Sequence, residues 1–115
     1  MRRCDLPAFN PDDDHEPLHP AVADLRRQIA ADALLFCTPE YAGALPGSFK
    51  NLLDWTVGGS EIYGKPVCWI NASSVAAPTG GADAHASLAK VLGYVVPTSS
   101  GLMSSAERRE PSDEI

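Results

Sequence analysis

Positive charge is scarce in this chain. Nine lysines and arginines stand against fifteen aspartates and glutamates, a formal net charge of -6 over 115 residues. Nucleic acid and anionic membrane surfaces are held by clustered Lys and Arg, so the balance argues against both as main partners. Long apolar runs are missing as well, and none approaches the roughly 18 residues of a membrane span. The stretch Met1–Pro7 is basic but has no apolar core of a secretory signal. Cysteine is sparse: Cys4, Cys37 and Cys68 show neither metal nor redox spacing. Cys37 and Cys68 sit inside apolar runs, where they read as small buried side chains, and a reducing, cytoplasmic setting is expected. There is no Walker-type loop, no G-x-G-x-x-G and no G-x-S-x-G. His15 and His19 are four apart, but Pro17 between them breaks the helix that would make them a metal pair, so no metal is expected.

What is present suits a single soluble domain of mixed α/β type, with hydrophobic content of 44% and charged content of 21%. Residues 1–19 are irregular and acidic, and the run Asp12-Asp13-Asp14-His15-Glu16 reads as solvated surface. A helix starts near Pro20, where proline fits the first turn; Val22, Leu25 and Ile29 share one face of it. Ala33–Cys37 and Pro66–Ile70 are short, unbroken apolar runs, the pattern of parallel strands covered on both faces. Between them the spacing predicts a helix from about Gly47 to Val57. Phe49, Leu52, Leu53 and Thr56 form its inner stripe, Lys50 and Asp54 an i, i+4 pair, and Gly58-Gly59 its end. A second amphipathic helix is expected from Ala82 to about Leu92, with Ala84, Leu88 and Val91 inward and Gly93 as terminator. Tyr94–Val96 reads as a possible further strand. The domain is placed at residues 1–97, and 98–115 read as a flexible tail.

In an open parallel sheet, ligands bind beyond the carboxyl ends of the strands. Two loops leave that edge, Thr38–Pro46 and Ala72–Gly81. Both are longer than a minimal connection, and their glycines (Gly43, Gly80, Gly81) allow close backbone approach. They follow consecutive strands, so they can line one pocket. A hydrolase reading would recruit Ser73 or Ser74 with His85 and Asp83, without the turn such nucleophiles need.

The segment Thr38-Pro39-Glu40-Tyr41, with Gly43, Pro46, Lys50-Asn51 and Asp54-Trp55 after it, resembles the signature of the NADPH-dependent FMN reductase family. The likeness continues through Gly64-Lys65-Pro66-Val67, Ser73-Ser74 and Gly80-Gly81 to the helix bearing His85, Leu88 and Leu92. It implies a flavodoxin-like parallel sheet with helices on both faces, holding FMN non-covalently and reduced by NADPH or NADH. On that resemblance Pro39, Glu40, Tyr41, Ala42 and Gly43 would support the flavin ring. Ser73 and Ser74 would lie near its pyrimidine edge, and Gly80 and Gly81 would leave room for backbone contact. No protein acid, base or nucleophile is required, because the flavin carries the redox chemistry. The acceptor would be a small molecule and the assembly a homodimer or homotetramer, with Phe49, Trp55 and Tyr63 as aromatic content for an interface or for the core.

The resemblance also implies a first strand followed by a Ser/Thr-rich loop with an arginine, which cradles the FMN phosphate. The 115 residues contain no such segment, and residues 1–19 look like the loop after the family's second strand. The expectation is therefore a domain truncated at its N-terminus, in which Ala33–Cys37 has an unpaired apolar edge. A phosphate held by two charge-assisted bonds gains about 1.5–3 kcal/mol from each. Losing both costs roughly a hundredfold or more in affinity, so this chain alone is expected to hold FMN weakly. The alternative function is a non-catalytic fragment or dimerising remnant.

Overall fold

Pro20 opens the first helix of the computed structural model, which describes residues 5–70, 81–95 and 102–103. Helix α1 spans Pro20–Ile29 and buries Val22, Leu25 and Ile29, the face read from the spacing. His19 caps it: its Nδ1 accepts from the Ala21 N–H at 3.1 Å. Strand β1 is Leu34–Cys37, helix α2 Gly47–Val57 and strand β2 Val67–Ile70. All four residues of the expected α2 stripe are buried, together with Trp55, and Lys50 Nζ meets Asp54 Oδ1 at 2.6 Å on the outer face. β1 and β2 pair in parallel, with Leu34 opposite Val67 and Cys37 opposite Ile70.

Helix α3 runs Ala82–Val95, longer than the spacing suggested. Gly93 lies inside it rather than ending it, and Tyr94–Val95 form its last turn instead of a strand. Leu102–Met103, within the stretch read as a tail, form strand β3 and pair in parallel with β2. The order among the described strands is β1-β2-β3, which places β1 at the edge. No helix among the described residues is long and apolar enough to cross a membrane.

The core gathers Leu25, Ile29, Phe49, Leu53, Trp55, Val67, Trp69, Leu88 and Leu92, with Leu34 and Phe36 packed against it. Phe36 and Phe49 meet edge to face at 5.5 Å between ring centroids, joining β1 to α2. The opposite side of the strand pair is different. Leu35 is 64% exposed, and Cys37 and Ile70 are exposed too. The unbroken apolar runs therefore have cover on one face only among the described residues, and Cys37 is not the buried side chain it resembled; Cys68 is half-buried.

The motif on α2 separates into two i, i+4 pairs with different tasks. Lys50 and Asp54 face solvent, while Asn51 and Trp55 hold the chain that precedes α1. Asn51 Oδ1 accepts from the Phe9 N–H at 2.7 Å and its Nδ2 donates to the Pro7 carbonyl at 2.9 Å. Trp55 Nε1 donates to the same carbonyl at 2.9 Å, and its ring meets Phe9 at 5.0 Å. Residues 5–10 are thus irregular but anchored, with Leu6 buried. Of the three aromatics weighed for an interface, Phe49 and Trp55 belong to the core and Tyr63 is exposed.

The acidic run is not all solvated surface either. Asp14 Oδ1 accepts from Arg26 Nη2 at 2.8 Å, and the same nitrogen donates to the Trp55 carbonyl at 3.0 Å. Gly58-Gly59 makes room for this pair. A Cβ at Gly58 would fall on the Asp14 carboxylate, and one at Gly59 would fall first on the Glu61 carboxylate, with Arg26 Nε 3.2 Å away.

Candidate functional site

Thr38, the residue after β1, is buried, and the chain beyond it emerges at the carboxyl edge of the sheet. Pro39, Tyr41, Ala42 and Gly43 are exposed and Glu40 is half-buried. Tyr41 and Ala44 exchange two backbone hydrogen bonds of 3.0 Å each. The two residues between them have φ of 51° (Ala42) and 73° (Gly43), so the tip is a two-residue type I′ turn. Such a turn projects its central amides outward. Among the described residues the N–H groups of Ala42 and Gly43 have no protein acceptor. The Tyr41 ring, 62% exposed, stands beside them.

Gly43 occupies the left-handed region at no steric cost, but alanine does not. Asparagine tolerates this conformation and forms the favoured Asn-Gly pair of type I′ turns. Ala42→Asn is accordingly expected to stabilise the fold by about 0.5–1 kcal/mol, read as a rise of about 2–4 °C in the thermal midpoint.

The first turn of α3 closes the other side of the site. Gly81 lies just before the helix with φ of 77° and is buried. Glu40 reaches across from the β1 loop, and its Oε1 accepts from the Ala84 N–H at 2.9 Å. Gly43 sits over the same turn, where a Cβ would lie 3.8 Å from Asp83 Oδ2. The structure therefore brings together Pro39 to Gly43 and Gly81. Ser73, Ser74 and Gly80 lie outside the described residues.

His85 is the titratable group behind this junction. Both ring nitrogens are buried without a hydrogen-bond partner among the described residues. Burial pushes its pKa below the ordinary 6.5, opposed by the nearby Glu40 carboxylate. The hydrolase reading needs a His85–Asp83 hydrogen bond, and neither ring nitrogen makes one. No group of three or more metal-ligating side chains occurs among the described residues, the His15–His19 neighbourhood included.

These features fit the ring of a flavin and not its phosphate. Two outward amides and an exposed phenol suit a flat, hydrogen-bonding heterocycle. A phosphate carries about 1.5 to 2 negative charges, and acidic neighbours disfavour it while cations favour it. Residues 38–46 and 71–85 contain no Lys or Arg, and the charged groups at the junction are the acids Glu40 and Asp83. A cleft of about 400 Å³ lined by Thr56, Val57, Ile62, Tyr63, Tyr94 and Val95 lies at the far ends of α2 and α3, away from this edge.

A parallel sheet with crossover helices, and a loop leaving the carboxyl edge of β1, belongs to the flavodoxin-like class. The solved structure of FerB, a flavoenzyme NAD(P)H:(acceptor) oxidoreductase from Paracoccus denitrificans, has the same fold. It superposes with a TM-score of 0.70 at 30% identity, covering 96% of this chain and 57% of FerB. A sequence model of NADPH-dependent FMN reductases matches residues 1–107, and the chain belongs to that family. It is 41% identical over 83 residues to an NAD(P)H-dependent FMN reductase of Pseudomonas aeruginosa, covering 70% of this chain and 45% of that protein. To an NADPH azoreductase of a Bacillus species it is 37% identical over 98 residues, 81% of this chain and 53% of the other. The chain thus spans about half the length of the curated relatives it matches.

Two contacts escaped the sequence reading, Glu40–Ala84 at the site and Arg26–Asp14 away from it. Glu40 acts through α3, and a signal for this was available: a helix preceded by Gly80-Gly81 has no side chain of its own at the cap position. Arg26 had no comparable signal, because its partner Asp14 is one of five consecutive polar residues.

Proposed function

We propose that this chain supplies the isoalloxazine side of an FMN site in an NAD(P)H-dependent oxidoreductase. The observation that carries the reading is the type I′ turn at Tyr41–Ala44, which offers two amides unpartnered among the described residues and an exposed tyrosine at the carboxyl edge of β1. Bound FMN would take a hydride from NADPH or NADH and pass reducing equivalents to a small-molecule acceptor. Relatives named as a quinone reductase and an azoreductase support a quinone- or azo-class acceptor.

In this reading the Ala42 and Gly43 amides donate to the polar edge of the ring. The Tyr41 ring covers one side of that edge and sheds water from it, and Gly81 lets the α3 turn approach. Ser73, Ser74 and Gly80 complete the contacts from the second loop. Homodimer or homotetramer assembly belongs to the same proposal, with the exposed Tyr63 as its available aromatic. The test is titration with two flavins that differ only in the phosphate, FMN and riboflavin. Recognition of the ring alone gives them similar affinities.

A further inference from the structure

A helix begins with four backbone N–H groups that have no partner within it, and the side chain at the cap position normally satisfies one of them. At the start of α3 that position is Gly81, which has no side chain. The missing acceptor comes from 44 residues earlier in the sequence, where Glu40 Oε1 takes the Ala84 N–H at 2.9 Å. A carboxylate here also meets the positive end of the helix dipole. The anchor is firm, since Ala84, Leu88 and Leu92 are fully buried along α3.

The other end of the tie is the turn that faces the ring. Glu40 immediately precedes Tyr41, and the turn holds Ala42 at a φ of 51°, a conformation alanine leaves readily unless its surroundings hold it. Gly43 lies beside Asp83 of the same helical turn, where a Cβ would stand 3.8 Å from Oδ2, so the loop runs close to α3 next to its Glu40–Ala84 bond. Behind the junction His85 has both ring nitrogens buried and, among the described residues, unpaired. Burial favours its neutral form, against the opposing pull of the Glu40 carboxylate.

We infer that Glu40 is a positioning residue: by capping α3 across the sheet edge, its carboxylate holds the Ala42 and Gly43 amides where the flavin ring needs them. The inference rests on the flavin reading above. Its test uses the 115-residue chain with Glu40→Ala and Glu40→Gln, read by amide hydrogen exchange at Ala84 and by riboflavin fluorescence quenching. Glu40→Ala is expected to speed Ala84 exchange and to weaken riboflavin, each by about tenfold, the order a lost cap produces. The amide oxygen of Glu40→Gln still accepts from Ala84, so both quantities stay within about threefold of the parent. Should Glu40→Ala not fold, the glutamine variant still decides the matter. If Gln preserves Ala84 protection yet loses riboflavin tenfold or more, the carboxylate touches the flavin itself and the positioning role is wrong. Unchanged riboflavin affinity in a folded Glu40→Ala chain overturns it equally. A parent chain that binds no riboflavin at all instead overturns the flavin reading, and the positioning role with it.

Discussion

Trp55→Ala is expected to lower the unfolding free energy by about 3–5 kcal/mol, the range for removing a buried large aromatic. Trp55 is 1% exposed and lies on α2 among the core residues. Its ring meets Phe9 edge to face, and its Nε1–H donates to the Pro7 carbonyl. Alanine removes the ring, the aromatic pair and one of two clasps on residues 7–9. Native domains hold only about 5–15 kcal/mol in all, so much of the stability of this one is at stake. Trp55→Phe separates the contributions. It keeps most of the apolar area, and the Pro7 carbonyl retains its bond from Asn51 Nδ2. A loss of about 1–2 kcal/mol is expected there. Chemical denaturation of the three proteins measures both differences, and a loss below about 1 kcal/mol for the alanine variant would contradict the packing described.

The second large effect is expected at Arg26. Its guanidinium satisfies a carboxylate and a helix end together: Asp14 on one side, and the Trp55 carbonyl in the last turn of α2 on the other. That carbonyl is among the four a helix leaves unpaired, and a cation at a helix C-terminus is also stabilised by the negative end of the dipole. The Arg26 and Asp14 side chains are 11% and 14% exposed, so the pair is largely desolvated. Arg26→Met preserves the stem and removes the charge, leaving Asp14 and Trp55 without this donor. Breaking one member of a buried pair costs about 3–5 kcal/mol; the residual exposure puts the expectation at about 3 kcal/mol. The double variant Arg26→Met with Asp14→Asn should recover part of it, because no charge remains buried. Equal losses in the single and double variants would show that the pair contributes little.

Much of the fold was legible in the sequence because apolar spacing reports local structure directly. Val22, Leu25 and Ile29 mark α1, and Phe49, Leu52, Leu53 and Thr56 mark α2, as the structure has them. The strands were legible as strands, but not their surroundings. An unbroken run such as Leu34–Cys37 shows that both faces can tolerate burial and does not report what covers them. Leu35 and Cys37 are exposed for that reason. Helix α3 ran past Gly93 because a single glycine costs a helix only about 1 kcal/mol, which the buried Leu88 and Leu92 offset.

The candidate site was legible as a position more than as a set of roles. The Pro39–Gly43 loop stands at the sheet edge where topology puts ligands, yet within the motif Asn51 and Trp55 serve the fold. Lys50 and Asp54 pair on the surface, and Glu40 reaches α3. The Lys50–Asp54 pair is local and was read from the spacing, whereas the roles of Asn51, Trp55 and Glu40 depend on contacts between residues 42 to 48 positions apart, which no local pattern encodes.

The central claim is that this chain recognises the flavin ring and not the phosphate. Its most direct test is the ratio of dissociation constants for riboflavin and FMN, measured by fluorescence quenching with the 115-residue chain. With Glu40 and Asp83 the charged groups at the loop–helix junction and no Lys or Arg in residues 38–46 or 71–85, the two constants should agree within about threefold. FMN binding a hundredfold more tightly than riboflavin, the difference two phosphate bonds produce, would contradict it.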